Sequence, residues 1–88
     1  MVSRVVKIIN PSGLVLRPAG AFCEKAMQYQ SKIIFHVHEN YEANAKSVLS
    51  VLGACVKTGE EIELICEGSD EVQALEEICT FLEEGIGE

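Results

Sequence analysis

The sequence predicts an α+β fold, an open-faced sandwich in which three helices cover one face of a four-stranded antiparallel sheet. The predicted element order is β-α-β-β-α-β-α. Strand-like segments with one apolar face alternate with segments whose apolar residues recur at helical spacing. Because the 88 residues contain no linker, repeat or low-complexity stretch, we expect one domain over residues 1–88. A sheet with a single apolar face packs its helices on that side and leaves the other side to solvent.

The first strand and the first helix are separated by a turn. Val2 to Ile9 is rich in β-branched residues, which favours a strand, and Asn10-Pro11-Ser12-Gly13 ends it. A helix is predicted from about Leu16 to Tyr29. Its apolar residues recur every three or four positions: Ala19, Phe22, Cys23, Ala26 and Tyr29.

The second and third strands follow as a pair. Lys32 to His38 alternates, with His36 and His38 on the polar face, as in a half-buried strand of an antiparallel sheet. A short strand from Tyr41 to Asn44 follows the turn marked by Asn40. The inward residues of the longer strand are Ile33, Phe35 and Val37.

The second half of the chain is predicted to form a helix, a strand and a last helix. A short apolar helix is predicted from Ser47 to about Cys55, followed by a strand from Glu61 to Glu67. Ser69 or Asp70 can cap a last helix. Its predicted core stripe is Val72, Leu75, Ile78, Cys79 and Leu82, and Gly85 and Gly87 end it.

Charge and composition exclude several classes of function. The formal net charge of −7 argues against nucleic-acid binding, which depends on clustered lysines and arginines. Without a signal peptide or an apolar run near the roughly 20 residues of a membrane helix, we expect a cytoplasmic protein that does not enter membranes. The cysteines form no CxxC pair, and we expect buried hydrophobic residues rather than metal ligands or disulfides at Cys23, Cys55, Cys66 and Cys79.

The start of the first helix favours an anion. Pro18 suits a first helical turn, because its φ is preset and its missing N–H would have no partner there. Arg17 adds a permanent cation with a planar donor fork, beside the free N–H groups of the helix start. A phosphoryl carrier would also need a nucleophile, but the residue at the cap position is Val15, which neither accepts phosphate nor caps a helix.

Several segments resemble a known family in their order and spacing. They are Ile8-Ile9-Asn10 with Gly13-Leu14 and Arg17-Pro18-Ala19, then Asn44-Ala45-Lys46-Ser47 with Val48-Leu49, then Gly59-Glu60-Glu61-Ile62, and Glu67-Gly68 through Leu75. Across essentially the whole chain they resemble HPr, the small phosphocarrier protein of the bacterial sugar phosphotransferase system. The resemblance implies an active-site loop before the first helix and a regulatory serine at Ser47.

The resemblance also implies that this chain lacks the residue that accepts phosphate in the family. In HPr, the position held here by Val15 is the histidine that accepts phosphate from enzyme I and passes it to sugar-specific enzymes. The chain is therefore similar to the Crh-like members, which lack this histidine. As the resemblance has it, HPr kinase/phosphorylase acts on the serine matched by Ser47, and the product is a corepressor for a catabolite-control repressor. Other phosphotransferase-system proteins are further candidate partners.

The segment after Ser47 suggests a docking surface. Ser47 occupies an N-cap position, and the helix it caps has only Ser50 and Gly53 as non-apolar positions. Some of its apolar residues should therefore face solvent and offer a docking patch, unless loops cover them. The candidate docking residues are Val48, Leu49 and Leu52. The candidate anion-binding residues for a phosphate on Ser47 are Lys46, next in the chain, and Arg17, which we expect close in space.

No other residue replaces the acceptor. His36 and His38 should lie on the solvent face of the sheet, Cys23 in the core and Ser12 in a turn. No nucleophile–base pair, metal cluster or phosphate loop occurs at a usable spacing, so we predict no enzyme activity, no cofactor and no metal. Two alternatives stay open: a phosphocarrier with a degenerate or relocated acceptor, and an HPr-fold interaction module with unrelated partners.

Overall fold

Four strands form one antiparallel sheet in the predicted architecture. The computed structural model describes residues 1–88. The strands are β1 (Val2–Lys7), β2 (Lys32–Val37), β3 (Tyr41–Asn44) and β4 (Glu61–Glu67). Their order in the sheet is β1-β4-β2-β3, so the last strand in sequence lies between the first two. The sequence pattern predicts the strands, whereas this order depends on long-range pairing.

Three helices cover one face of the sheet. They are α1 (Leu16–Ala26), α2 (Val48–Gly53) and α3 (Glu71–Glu83). None of them combines the length and the hydrophobicity that crossing a lipid bilayer requires.

The core lies between the helices and the inward face of β2 and β4. Phe35 on β2 pairs with Leu64 on β4, and both are fully buried. The ring of Phe22 on α1 stacks on Phe35 with centroids 5.6 Å apart. The inward residues predicted from alternation are all buried: Ile33, Phe35, Val37, Ile62, Leu64 and Cys66. Strand residues that recur at every second position and helix residues that recur about every 3.6 positions thus pack into one core.

Several element ends differ from the predicted ones. β1 stops at Lys7 rather than Ile9, and α1 ends at Ala26 rather than Tyr29, although Tyr29 remains buried as expected. β2 ends at Val37 because His38 has a φ of 57°, which a strand does not accommodate.

The prediction that all four cysteines are buried is wrong for one of them. Cys23, Cys66 and Cys79 are buried, but Cys55 is exposed. α2 ends at Gly53, and Cys55 has a φ of 52°, so it has left the helix whose apolar spacing predicted its burial. All four cysteines are free thiols.

Two predictions for α3 also need correction. Val72 is 56% exposed instead of lying in the core stripe, whereas Ala74 is fully buried. At about 100° per residue, Val72 lies roughly 90° around the helix from the centre of the buried face. Asp70 is the N-cap residue, but its carboxylate does not cap α3. It accepts hydrogen bonds from the backbone N–H groups of Gln30 and Ser31 and thereby ties the loop after α1 to α3.

The end of α3 turns the chain back towards the start of α1. Gly85, with a φ of 88°, donates its N–H to the carbonyl of Leu82, and Ile86 donates to the carbonyl of Phe81. This pair of bonds is a Schellman motif with glycine at its left-handed position, which ends the helix as predicted. Ile86 is buried, although its φ of 56° is unfavourable for a β-branched residue.

Candidate functional site

The start of α1 is held by the turn before it. Gly13 has a φ of 71°, and a Cβ there would lie 2.7 Å from the carbonyl oxygen of Val56. The N–H of Leu14 donates to the same carbonyl at 2.9 Å. Val15 is the N-cap residue, in an extended conformation, and its side chain makes no capping hydrogen bond. The first N–H groups of α1 are therefore left without a side-chain partner, as expected for an anion-favouring helix start.

Val15 lies on an apolar groove rather than in a polar pocket. The groove has a volume of about 420 Å³ and connects the start of α1 with the end of α2. Val15 is 50% exposed and Leu16 is 68% exposed, so the groove is open to solvent on the α1 side. Its lining residues are Ser12, Leu14, Val15, Leu16, Leu52, Cys55, Val56, Lys57 and Thr58. At the position where the resemblance assigns a phosphoryl acceptor, the surface is suited to an apolar contact.

The two candidate anion-binding residues lie at opposite ends of α1. Arg17 is in the first turn, on a different side from the groove, near Glu24 and Phe81. Lys46 donates from Nζ to the carbonyl of Tyr29 at 2.7 Å, beyond the last turn. With a rise of about 1.5 Å per residue, α1 separates them by roughly 15 Å. Arg17 forms no hydrogen bond or ion pair with Lys46 or Ser47, and its proximity to a phosphate on Ser47 stays a prediction.

Ser47 caps α2 as predicted. Its Oγ accepts a hydrogen bond from the N–H of Ser50 at 3.2 Å. Its own N–H donates to the carbonyl of Asn44 at 3.0 Å, and the N–H of Asn44 donates to Ser50 Oγ at 2.8 Å. The first of these bonds holds the hydroxyl of Ser47 at the partly exposed start of a short helix.

The apolar residues of α2 point in different directions. Val51 is fully buried, and Leu49 is 83% exposed, the largest exposed fraction among the large hydrophobic residues. Val48 and Leu52 are half-buried, and Leu52 also lines the groove. Part of the predicted cluster thus faces solvent, and through Leu52 it is continuous with the groove beside Val15.

Neither histidine belongs to this surface. His36 lies on the open face of β2, with Nε2 3.1 Å from Glu42 Oε1 and Nδ1 3.7 Å from Glu63 Oε1. His38, just past the strand, has Nε2 3.2 Å from the carbonyl oxygen of Ala54. Both are exposed, as expected, and neither lines the groove.

One polar cluster beside the groove was not predicted. The carboxylate of Glu88 accepts hydrogen bonds from Asn10 and Ser12 in the turn before α1. These residues are more than 70 positions apart, and no local pattern signals the contact. The glycines near residue 88 indicated only that the last helix ends.

Comparison with known proteins identifies the family. A family model described as "PTS HPr component phosphorylation site" matches residues 2–84. The chain is 34% identical over 86 residues to the HPr-like protein Crh of Bacillus subtilis, covering 98% of this chain and 100% of the relative. It is 38% identical over 78 residues to the phosphocarrier protein HPr of Treponema pallidum, covering 89% of this chain and 88% of the relative.

A solved HPr structure has the same fold as this chain and supports the same family. The crystal structure of HPr-C-His from Thermoanaerobacter tengcongensis superposes with a TM-score of 0.94 at 32% identity, covering 100% of this chain and 98% of that chain. The sheet order and the three helices are those of the open-faced sandwich predicted from the sequence. The chain therefore belongs to the HPr family.

Proposed function

We propose that this chain is a Crh-like regulatory member of the HPr family that works by docking and is switched by phosphorylation of Ser47. It would not carry phosphate on position 15 and would not be an enzyme. Its role would lie in carbon catabolite regulation. The observation that carries the proposal is Val15 at the cap of α1, on an apolar groove, while the serine-capped helix next to it keeps an exposed leucine.

The loss of phosphoryl transfer follows from the chemistry of the side chain at position 15. Valine has no lone pair with which to attack phosphorus, and its neighbours Leu14 and Leu16 are equally inert. The amides at the start of α1 still favour an anion, but an anion-binding helix start without a nucleophile cannot form a covalent bond to a phosphoryl group. The surface supports contact rather than transfer.

Phosphorylation of Ser47 would change the charge of this surface without repacking the core. A phosphate adds about −1.5 to −2 charge, and Ser47 lies at the partly exposed edge of α2. Lys46 is engaged with the carbonyl of Tyr29, and Arg17 lies at the far end of α1. With Lys46 already engaged, the phosphate would favour a partner that supplies arginine or lysine.

The proposed partners follow from the family resemblance. HPr kinase/phosphorylase would add and remove the phosphate. A catabolite-control repressor would bind the phosphorylated form, with its apolar contacts on Val48, Leu49 and Leu52. A cationic partner site would accept the phosphorylated surface and bind the hydroxyl form less well, which makes the modification a switch of specificity.

The test is phosphorylation in vitro followed by intact-mass measurement and site mapping. The chain is incubated with ATP and an HPr kinase whose activity is confirmed on an ordinary HPr. Ser47→Ala removes the proposed site, and Ser69→Ala removes an exposed serine that makes no side-chain hydrogen bond. We expect one phosphate on the wild type and on Ser69→Ala and none on Ser47→Ala. An unmodified wild type beside a modified HPr would leave Ser47 as a helix cap only.

A further inference from the structure

The turn before α1 forms a small cradle for one carboxylate. Three donors converge on Glu88. Asn10 Nδ2 lies 3.0 Å from Oε1, Ser12 Oγ lies 2.9 Å from both carboxylate oxygens, and the N–H of Ser12 lies 3.5 Å from Oε1. These bonds lower the pKa of the Glu88 carboxyl group, the bond from Asn10 most, because they stabilise its charged form. We call the donors of Asn10 and Ser12 the Asn10–Ser12 cradle.

The side-chain amide of Asn10 is held in one orientation. Asn10 is 1% exposed, and its Nδ2 also donates to the carbonyl of Gly13 at 2.7 Å. Its Oδ1 is buried and has no hydrogen-bond partner. A flipped amide would place Oδ1 against two acceptors, so the orientation of Asn10 is determined by its donor side. A buried asparagine with an unpaired oxygen is costly, and here it presents a fixed N–H to an anion.

We infer that the Asn10–Ser12 cradle is a carboxylate-binding site, occupied in the free protein by Glu88 and open to an external carboxylate when Glu88 leaves. Glu88 itself is exposed, and it follows a turn in which three consecutive residues have positive φ: Gly85, Ile86 and Gly87. Its carboxylate can leave by rotation of the Glu88 side chain, while the Glu88 N–H keeps its hydrogen bond to the carbonyl of Gly85 at 3.0 Å. Ser12 also lines the apolar groove, so the cradle lies at the edge of that surface.

The donor set indicates a carboxylate rather than a phosphate. The donors to Glu88 are an amide NH₂, a hydroxyl and a backbone N–H, all neutral. No lysine or arginine forms an ion pair with Glu88. Phosphate recognition usually adds arginine or lysine to such donors, whereas a carboxylate with one negative charge is satisfied by neutral hydrogen bonds.

Amide NMR on the full chain tests the site. Sodium acetate is titrated at constant ionic strength into the wild type, Glu88→Ala and the matched control Glu84→Ala, which removes an exposed carboxylate that makes no hydrogen bond. We expect saturable shifts of the Ser12 backbone amide and the Asn10 side-chain NH₂ in Glu88→Ala. If Glu88 fills the cradle about nine-tenths of the time, the apparent Kd for acetate is about tenfold weaker in the wild type and in Glu84→Ala.

Three outcomes would overturn the inference. If Glu88→Ala leaves the acetate-free resonances of Ser12 and Asn10 unchanged, Glu88 does not occupy the cradle. If they move but acetate produces no saturable shift, the turn binds only its own carboxylate. If inorganic phosphate binds Glu88→Ala more tightly than acetate does, the ligand class is wrong. Adding Ser12→Ala to Glu88→Ala should abolish the acetate response, which assigns the response to the cradle.

Discussion

Truncation of Leu49 to alanine should weaken docking without weakening the fold. Leu49 is 83% exposed, so most of its apolar surface remains available to a partner. Full burial of a leucine side chain contributes about 1.5–3 kcal/mol. Removing all but its Cβ should therefore cost roughly 1–2 kcal/mol of binding, which corresponds to a factor of about 5–30 in affinity. The free energy of unfolding should change by no more than about 0.5 kcal/mol, because the side chain is outside the core.

The assay is the kcat/KM of an HPr kinase acting on Ser47. Leu49→Ala is compared with the wild type and with Val72→Ala, which truncates an aliphatic residue of α3 that is 56% exposed. We expect kcat/KM to fall about 5–30-fold for Leu49→Ala and less than about twofold for Val72→Ala. Thermal unfolding of each variant verifies that all are folded. Equal kcat/KM for Leu49→Ala and the wild type would refute Leu49 as a docking contact for the kinase.

Three further predictions use other parts of the structure. Val15→His should acquire an acid-labile phosphate from phosphoenolpyruvate and enzyme I, because the start of α1 still favours an anion; no phosphate, with an ordinary HPr as positive control, would show that this helix start no longer supports transfer. Hydrogen bonds from Ser31 and Gln30 lower the pKa of Asp70, so this group stabilises the fold above its ordinary pKa of 3.8 and loses that contribution as pH falls further. Asp70→Asn should flatten the acid limb of a stability–pH profile below about pH 4, and an unchanged limb would contradict this origin. An aromatic disulfide reagent at pH 8 should modify Cys55 quickly and the other three thiols only after unfolding, since burial raises the pKa of Cys66 to about 11; two or more fast thiols would contradict the burial.

The sheet and the helices were predictable because apolar residues recur at a regular spacing in each strand and helix. Phe35 alternates with His36 on β2, and Ala19, Phe22 and Ala26 recur on α1, so burial could be assigned residue by residue. The position of β4 between β1 and β2 was not predicted. Pairs such as Val5 with Glu63 join residues far apart in the chain, and the apolar pattern within one strand does not specify its neighbour.

The wrong predictions fall where the backbone leaves a helix or strand, or where a residue lies at the edge of the buried face of its helix. Cys55 and His38 both adopt a left-handed backbone conformation, which side-chain type alone did not signal at either position. Val72 fits the spacing of its helix but lies at the edge of the buried face, because the small Ala74 packs against the core instead. The cap position of Ser47 was predicted, since capping depends on residue type and local order. The separation of Arg17 from Lys46 depends on how α1 and α2 pack, which no local signal reports.

The packing of α1 and α2 places Ser47 and the groove beside Val15 at the two ends of one short helix. The start of α2 lies near the end of α1, where Lys46 contacts Tyr29, and the end of α2 lies near the start of α1, where Leu52 and Val15 share the groove. α2 spans six residues, or about 9 Å, so one partner that covers it reaches both Ser47 and the groove. Under the proposed function, valine at position 15 makes one end of that surface apolar, while Ser47 remains a polar cap at the other end. A partner that covers both ends would then bind through apolar contacts at the groove, and a phosphate on Ser47 would be the charge that controls which partner binds.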